Sequence, residues 1–75
     1  MNSFITGENI KDYFKYSYEL TKDDNFRYGY ENYISYRITG DKVIVLTENN
    51  VKFIVYPRFL KWYLRNKKLK VILNE

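Results

Sequence analysis

Between Asn32 and Tyr56 three β-rich runs are separated by two pairs of turn-forming residues, and this arrangement constrains the fold more than any other stretch. The runs are NYISYRIT (32–39), KVIVLTE (42–48) and VKFIVY (51–56). Gly40-Asp41 suits a two-residue hairpin with glycine first, as a type II′ turn requires. Asn49-Asn50 tolerates positive φ and reads as a second tight turn. Two tight turns in succession impose an antiparallel meander, because parallel neighbours need a long crossover.

The turns also set an expected register. Thr39 opposes Lys42, Arg37 opposes Ile44 and Ser35 opposes Leu46. In the second hairpin Glu48 opposes Val51, Leu46 opposes Phe53 and Ile44 opposes Val55. One face then carries Ile34, Tyr36, Ile38, Val43, Val45, Ile54 and Tyr56. The other carries Ile44, Leu46, Val51, Phe53 and Val55, with Tyr33, Ser35 and Arg37 on the first strand. Both faces are apolar over the two later strands, unlike a sheet with one wet face. The second face is therefore expected to be covered by a helix, a dimer partner or a ligand.

Helical patterns flank the meander. Thr6 can cap a helix over about 8–21, with Glu8 in its first turn and Ile10, Tyr13, Phe14 and Ser17 along one side. Asp23-Asp24-Asn25 ends it. Pro57 suits the first position of a second helix over 57–68. LKVILNE (69–75) alternates Leu69, Val71 and Leu73 and reads as a fourth, edge strand bearing Lys70. A strand–helix–strand crossover would set it parallel to the third strand. The expectation is a single small α+β domain over 1–75, of order α-β-β-β-α-β, with two helices on a mainly antiparallel sheet of three or four strands.

A chain of 75 residues has a small core, worth about 3–5 kcal/mol net. It contains no Cys and no His, so disulfides, thiolate metal sites and imidazole chemistry are absent from its repertoire. Aromatic residues make up 20% of it, nine of them Tyr, and rigid rings bury much area per residue. Its longest strongly apolar runs, Val43–Leu46 and Phe53–Tyr56, are strand-sized and far short of a membrane span. The N-terminus has no cationic segment followed by an apolar run, so a cytoplasmic location is expected, with no membrane partner. Abundant Tyr, Asn, Lys and Ile with no Ala suggest an AT-rich genome, as in phages and mobile elements.

Charge is divided along the chain. Residues 1–35 carry 4 basic and 6 acidic residues, a net of 4 − 6 = −2; residues 36–75 carry 9 and 3, a net of 9 − 3 = +6. The positive half concentrates in PRFLKWYLRNKKLK (57–70). At 100° per residue Phe59, Leu60, Tyr63 and Leu64 form the docking side, while Arg58, Lys61, Arg65 and Lys68 form the outer one with Trp62 among them. An ordinary solvated helix face mixes signs and gains from i,i+4 pairs. A single-sign stripe containing an indole instead suits an anionic partner. Arg pairs bidentately with phosphate or carboxylate, and Trp62 or Tyr33 can stack on a base or fill a protein pocket.

YGYENY (28–33) resembles part of the RNA-recognition-motif core signature through Tyr28, Gly29 and Tyr33. Glu31 stands where that signature is apolar, and the order of elements differs. These tyrosines are assigned instead to a loop and strand packed on helix 8–21. Asp23-Asp24-Asn25 lacks the glycine and later glutamate of a calcium loop. There is no glycine-rich phosphate cradle, and no serine has a histidine base. A non-enzymatic binding role, without cofactor or metal, is the expectation. Its leading form is a phage or mobile-element accessory or inhibitor protein, for example an anti-CRISPR or other anti-defence inhibitor, docking on a host nucleoprotein machine. The expected partner-binding residues are Arg58, Lys61, Trp62, Arg65 and Lys68, extended by Tyr33 and Arg37. The alternatives are a direct DNA- or RNA-binding protein and a homodimeric structural module.

Overall fold

A computed structural model describes the backbone of residues 4–73 and the side chains of residues 4–67. Three helices lie against a three-stranded antiparallel sheet: α1 (Gly7–Thr21), α2 (Asp24–Glu31), β1 (Tyr33–Thr39), β2 (Lys42–Thr47), β3 (Lys52–Val55) and α3 (Pro57–Leu73), with strand order β1-β2-β3.

The expected cap of α1 is present. Thr6 is extended, and its hydroxyl accepts the Asn9 N–H at 3.0 Å. The buried positions are Ile10, Tyr13, Phe14 and Ser17, the predicted stripe. The helix closes at Lys22, whose φ of 58° is left-handed and whose N–H donates to the Tyr18 carbonyl. Asp23 then opens α2, accepting the Asn25 N–H at 2.9 Å. The loop assignment of Tyr28 and Tyr30 is thus corrected, since Asp24–Glu31 is helical, whereas Tyr33 opens β1 as expected. The reason is local. A capping aspartate directly after a left-handed residue starts a new helix in a new direction, and Gly29 lets that helix approach α1. A Cβ on Gly29 would stand 3.0 Å from the Phe14 ring.

The first hairpin has the predicted register from Ser35 to Thr39, with Thr39 opposite Lys42 and Arg37 opposite Ile44. The irregularity between Tyr33 and Ser35 then sets Tyr33 opposite Thr47, on the helix side rather than beside Ser35 and Arg37 as expected. Gly40 has φ of 60°, as its turn position demands. The second hairpin differs by one residue. Its loop is a 3₁₀ turn, Glu48–Asn50, with Asn49 and Asn50 both left-handed at φ 63° and 62°. Three residues turn the chain rather than two, so Val45 opposes Phe53 and Ile44 opposes Ile54. Thr47 locks this register: its N–H and hydroxyl both donate to the Val51 carbonyl, at 2.9 and 2.6 Å. Because strand side chains alternate, the shift exchanges the faces of β3. Val55 and Phe53 join Val43 and Val45, and Ile54 turns outward.

The core is Ile5, Ile10, Tyr13, Phe14, Val43, Val45, Val55, Leu60 and Tyr63. Its sheet members all come from one face, and its helical members from α1 and α3; α2 reaches the same face through Phe26 on Phe14 and Tyr28 on Phe53. The helices therefore share one side of the sheet, and neither helix predicted from sequence covers the other. The expected fourth strand is also corrected. Residues 69–73 continue α3, and 74–75 lie outside the described residues. No glycine, proline or asparagine lies between Lys67 and Leu73 to stop the helix, and Lys67-Lys68-Leu69-Lys70 are good helix formers.

Candidate functional site

The outer surface of α3 is set by its docked side. Leu60 and Tyr63 are fully buried and Leu64 is partly so. Phe59, expected on the docked side, lies at its flank with 38% exposure, edge-on to Tyr56. Diametrically outward stand Arg58, Lys61, Trp62 and Arg65, all exposed. Lys68 follows one turn later on the helix; its side chain lies outside the described residues.

Arg58, Lys61 and Trp62 on this ridge are each propped against an aromatic ring. The Arg58 guanidinium lies 4.9 Å from the Tyr56 ring centre and 5.2 Å from that of Phe59. The Lys61 ammonium lies 5.4 Å from Phe4. Trp62 is 44% exposed and meets Tyr16 of α1 edge-to-face at 5.8 Å. Ring contacts restrict these side chains without neutralising them. Among the described residues no carboxylate pairs with Arg58, Lys61 or Arg65; the ion pairs are Arg27 with Asp24 and Glu31, and Lys67 with Asp12. Arg58 also sits in the first turn of α3, which carries no acidic residue and where the helix dipole disfavours a cation by about 0.3–1 kcal/mol. Beside it the hairpin turn contributes Asp41 to a shallow groove of about 210 Å³ lined also by Tyr56, Pro57 and Arg58.

Lys67 departs from the ridge. It points along the docked side, reaches Asp12 at 3.8 Å and lies over the Tyr63 ring at 5.7 Å. Hydrogen bonding to Tyr63 is the main cause that raises its pKa, and burial raises that of the Tyr63 hydroxyl.

Tyr33 and Arg37 are not gathered into the ridge. The Tyr33 hydroxyl packs beside Gly7, and Lys11 lies 5.9 Å over its ring. Those α1 positions are roughly 140° around the helix from Asp12 and Tyr16, which face α3. Burial raises the Tyr33 pKa, as expected for a ring wedged between elements. Arg37 opposes Ile44 on the sheet face turned away from the helices.

That open face is a second positive surface, which the sequence reading did not assemble. Register places Arg37, Lys42 and Lys52 around Ile44, Leu46 and Ile54, with Ser35 and Thr39 beside them and no carboxylate on the strands themselves. The signal was the length of the second loop, which alone decides whether Lys52 and Ile54 share a face with Ile44.

No group of three or more acidic side chains suited to hold a metal ion occurs among the described residues, and no described helix is long and apolar enough to cross a membrane. The acidic residues lie mostly on α1 and α2, so the division of charge along the sequence becomes a division between elements. Comparison with protein-family models, curated proteins and solved structures gives no match.

Proposed function

We propose that the chain is a non-enzymatic cytoplasmic binding protein that docks through the outer ridge of α3 on an anionic surface of a host nucleoprotein machine. It acts there as an accessory or inhibitor protein of a phage or mobile element, an anti-CRISPR inhibitor being one instance. The observation that carries this reading is the ridge itself: Arg58, Lys61 and Arg65 share one helical face with a half-exposed Trp62, without a carboxylate partner among the described residues. Cations steer encounter, and an indole in a pocket supplies the kind of anchor that dominates protein interfaces.

The test is affinity capture from a host lysate, with and without nuclease, using the native chain and the triple variant Arg58→Glu, Lys61→Glu, Arg65→Glu. The native chain is expected to retain one protein complex after nuclease treatment, and the variant to lose it. Retention by the variant would show that the ridge is only a solvated face. If the native chain instead binds bare DNA or RNA, three phosphate contacts predict a log–log salt slope near −3 for duplex DNA, and direct nucleic-acid binding replaces docking on protein.

A further inference from the structure

β1 is an edge strand, and beyond the irregularity at its start its stretch 35–39 carries neither lysine nor proline. It is the longest strand, at seven residues, and has β2 as its partner on one side only. Edge strands that stay in water are generally short or carry lysine or proline. β3, at the other edge, has four residues and carries Lys52. On β1 the only charge is Arg37; Tyr36 and Ile38, on the helix side, are 36 and 43% exposed, and Ile34 at the irregularity is 54% exposed. The opposite residues of β2 on that face, Val43 and Val45, are wholly buried, so the helical layer stops short of the outer margin of the sheet.

The backbone pattern identifies what this margin can accept. Thr39 and Lys42 close a two-residue hairpin, and such a pair exchanges both hydrogen bonds. By alternation Arg37 also bonds to β2, while Ile38 and Tyr36 direct their N–H and C=O groups outward. The irregularity in β1 falls at Ile34, between Tyr33 and Ser35, so the regular register runs from Ser35 to Thr39. The segment ISYRI (34–38) is symmetric about Tyr36, with an isoleucine two residues to either side.

We propose that two copies of this chain pair through β1, antiparallel and twofold-symmetric about Tyr36, forming one six-stranded sheet. Tyr36 then exchanges backbone hydrogen bonds with Tyr36 of the second copy. Ser35 meets Arg37 of the second copy on the open side, and Ile34, at the irregularity, marks the end of the paired stretch. No like charges stand opposite each other. Stacking two open faces would instead bring Arg37, Lys42 and Lys52 against a second set of the same cations. The pairing makes no use of α3, so it stands apart from the docking role proposed for the ridge.

The chain has no cysteine, so introduced thiols report the register without background. Ser35 and Arg37 of facing copies would form a non-hydrogen-bonded pair with Cα atoms about 4.5 Å apart, within disulfide range. An equimolar oxidised mixture of Ser35→Cys and Arg37→Cys is expected to give several-fold more linked dimer than either variant alone. Sedimentation of the native chain is expected to move from 9.2 kDa toward twice that mass as concentration rises. Ile38→Lys should hold the 9.2 kDa mass with an unchanged circular dichroism spectrum. A native chain that remains at 9.2 kDa at every concentration overturns the proposal. So does linkage no greater in the mixture than in the separate variants.

Discussion

Gly29→Ala places two opposed effects at one position. Gly29 is in the interior of α2, where alanine is preferred over glycine by about 1 kcal/mol on propensity alone. Its Cβ would approach three ring carbons of Phe14 at 3.0, 3.0 and 3.1 Å, a few tenths of an ångström inside ordinary contact. Phe14 is 2% exposed and touches Tyr13, Phe26 and Phe53, so its ring has no solvent side into which to retreat. Overpacking of this kind costs about 1–3 kcal/mol. With several ring atoms engaged the clash exceeds the propensity gain, leaving a net loss of up to about 2 kcal/mol. For a domain of this size that is a fall in Tm of up to about 15 °C. Phe14→Leu destabilises on its own, but in that background Gly29→Ala should become neutral or stabilising. Thermal and urea unfolding of the native chain, both single variants and the double variant close the cycle. A Gly29→Ala variant more stable than the native chain would show that α2 shifts freely on α1, and the close approach assigned to this glycine would fail.

Three further outcomes are expected. Tyr13, Tyr33 and Tyr63 have pKa values raised by burial above their ordinary 10.0, so the folded chain holds these protons more tightly than the unfolded chain. Their stabilisation is complete below pH about 10 and declines above it, with Lys67, raised chiefly through Tyr63, acting in the same direction; urea midpoints that stay level through that range would contradict this. At Asn50, whose φ is 62°, glycine should stabilise by up to about 1 kcal/mol and valine destabilise by about 1–3 kcal/mol in equilibrium unfolding. Trp62→Ala should cost about 1 kcal/mol or less in folding through its lost contact with Tyr16, yet remove capture of the partner, separating an anchor from a packing residue in paired stability and pull-down measurements.

The parts of the fold legible in sequence were those specified by short-range chemistry. Thr6 and the Ile10–Phe14 stripe define α1, and Gly40 fixes the first hairpin through one backbone requirement. α2 was hidden because DNFRYGYE is only eight residues long and its aromatic-glycine run suits a loop or strand; its helix depends on the Asp23 cap and on packing that Gly29 permits. The β3 register was misread because Asn49-Asn50 fits a two-residue turn as well as the last two residues of a three-residue one. Thr47, hydrogen-bonded to Val51, decides between them, and that choice requires tertiary context. Along LKVIL, period-two alternation and an uninterrupted helix compete, and continuity with α3 prevails. In the candidate site, Arg58, Lys61, Trp62 and Arg65 could be grouped because a 3.6-residue period orders them within one element. Tyr33 and Arg37 belong to another element, and their distance from the ridge follows from how α1 and the sheet are layered.

Within one copy, with the three helices on one side of the sheet, β2 is the only one of the described strands with neighbours at both edges and a roof of side chains above it. Its Val43, Val45 and Thr47 have no exposed surface at all. The molecule has no second reservoir of order to fall back on when that strand opens. Deuterium uptake at the β2 amides should therefore track whole-chain unfolding, whereas four-residue β3 can fray at lower free energy. A ligand that slows uptake in β2 must then be strengthening the entire protein, while one that protects only β3 is resting on its margin.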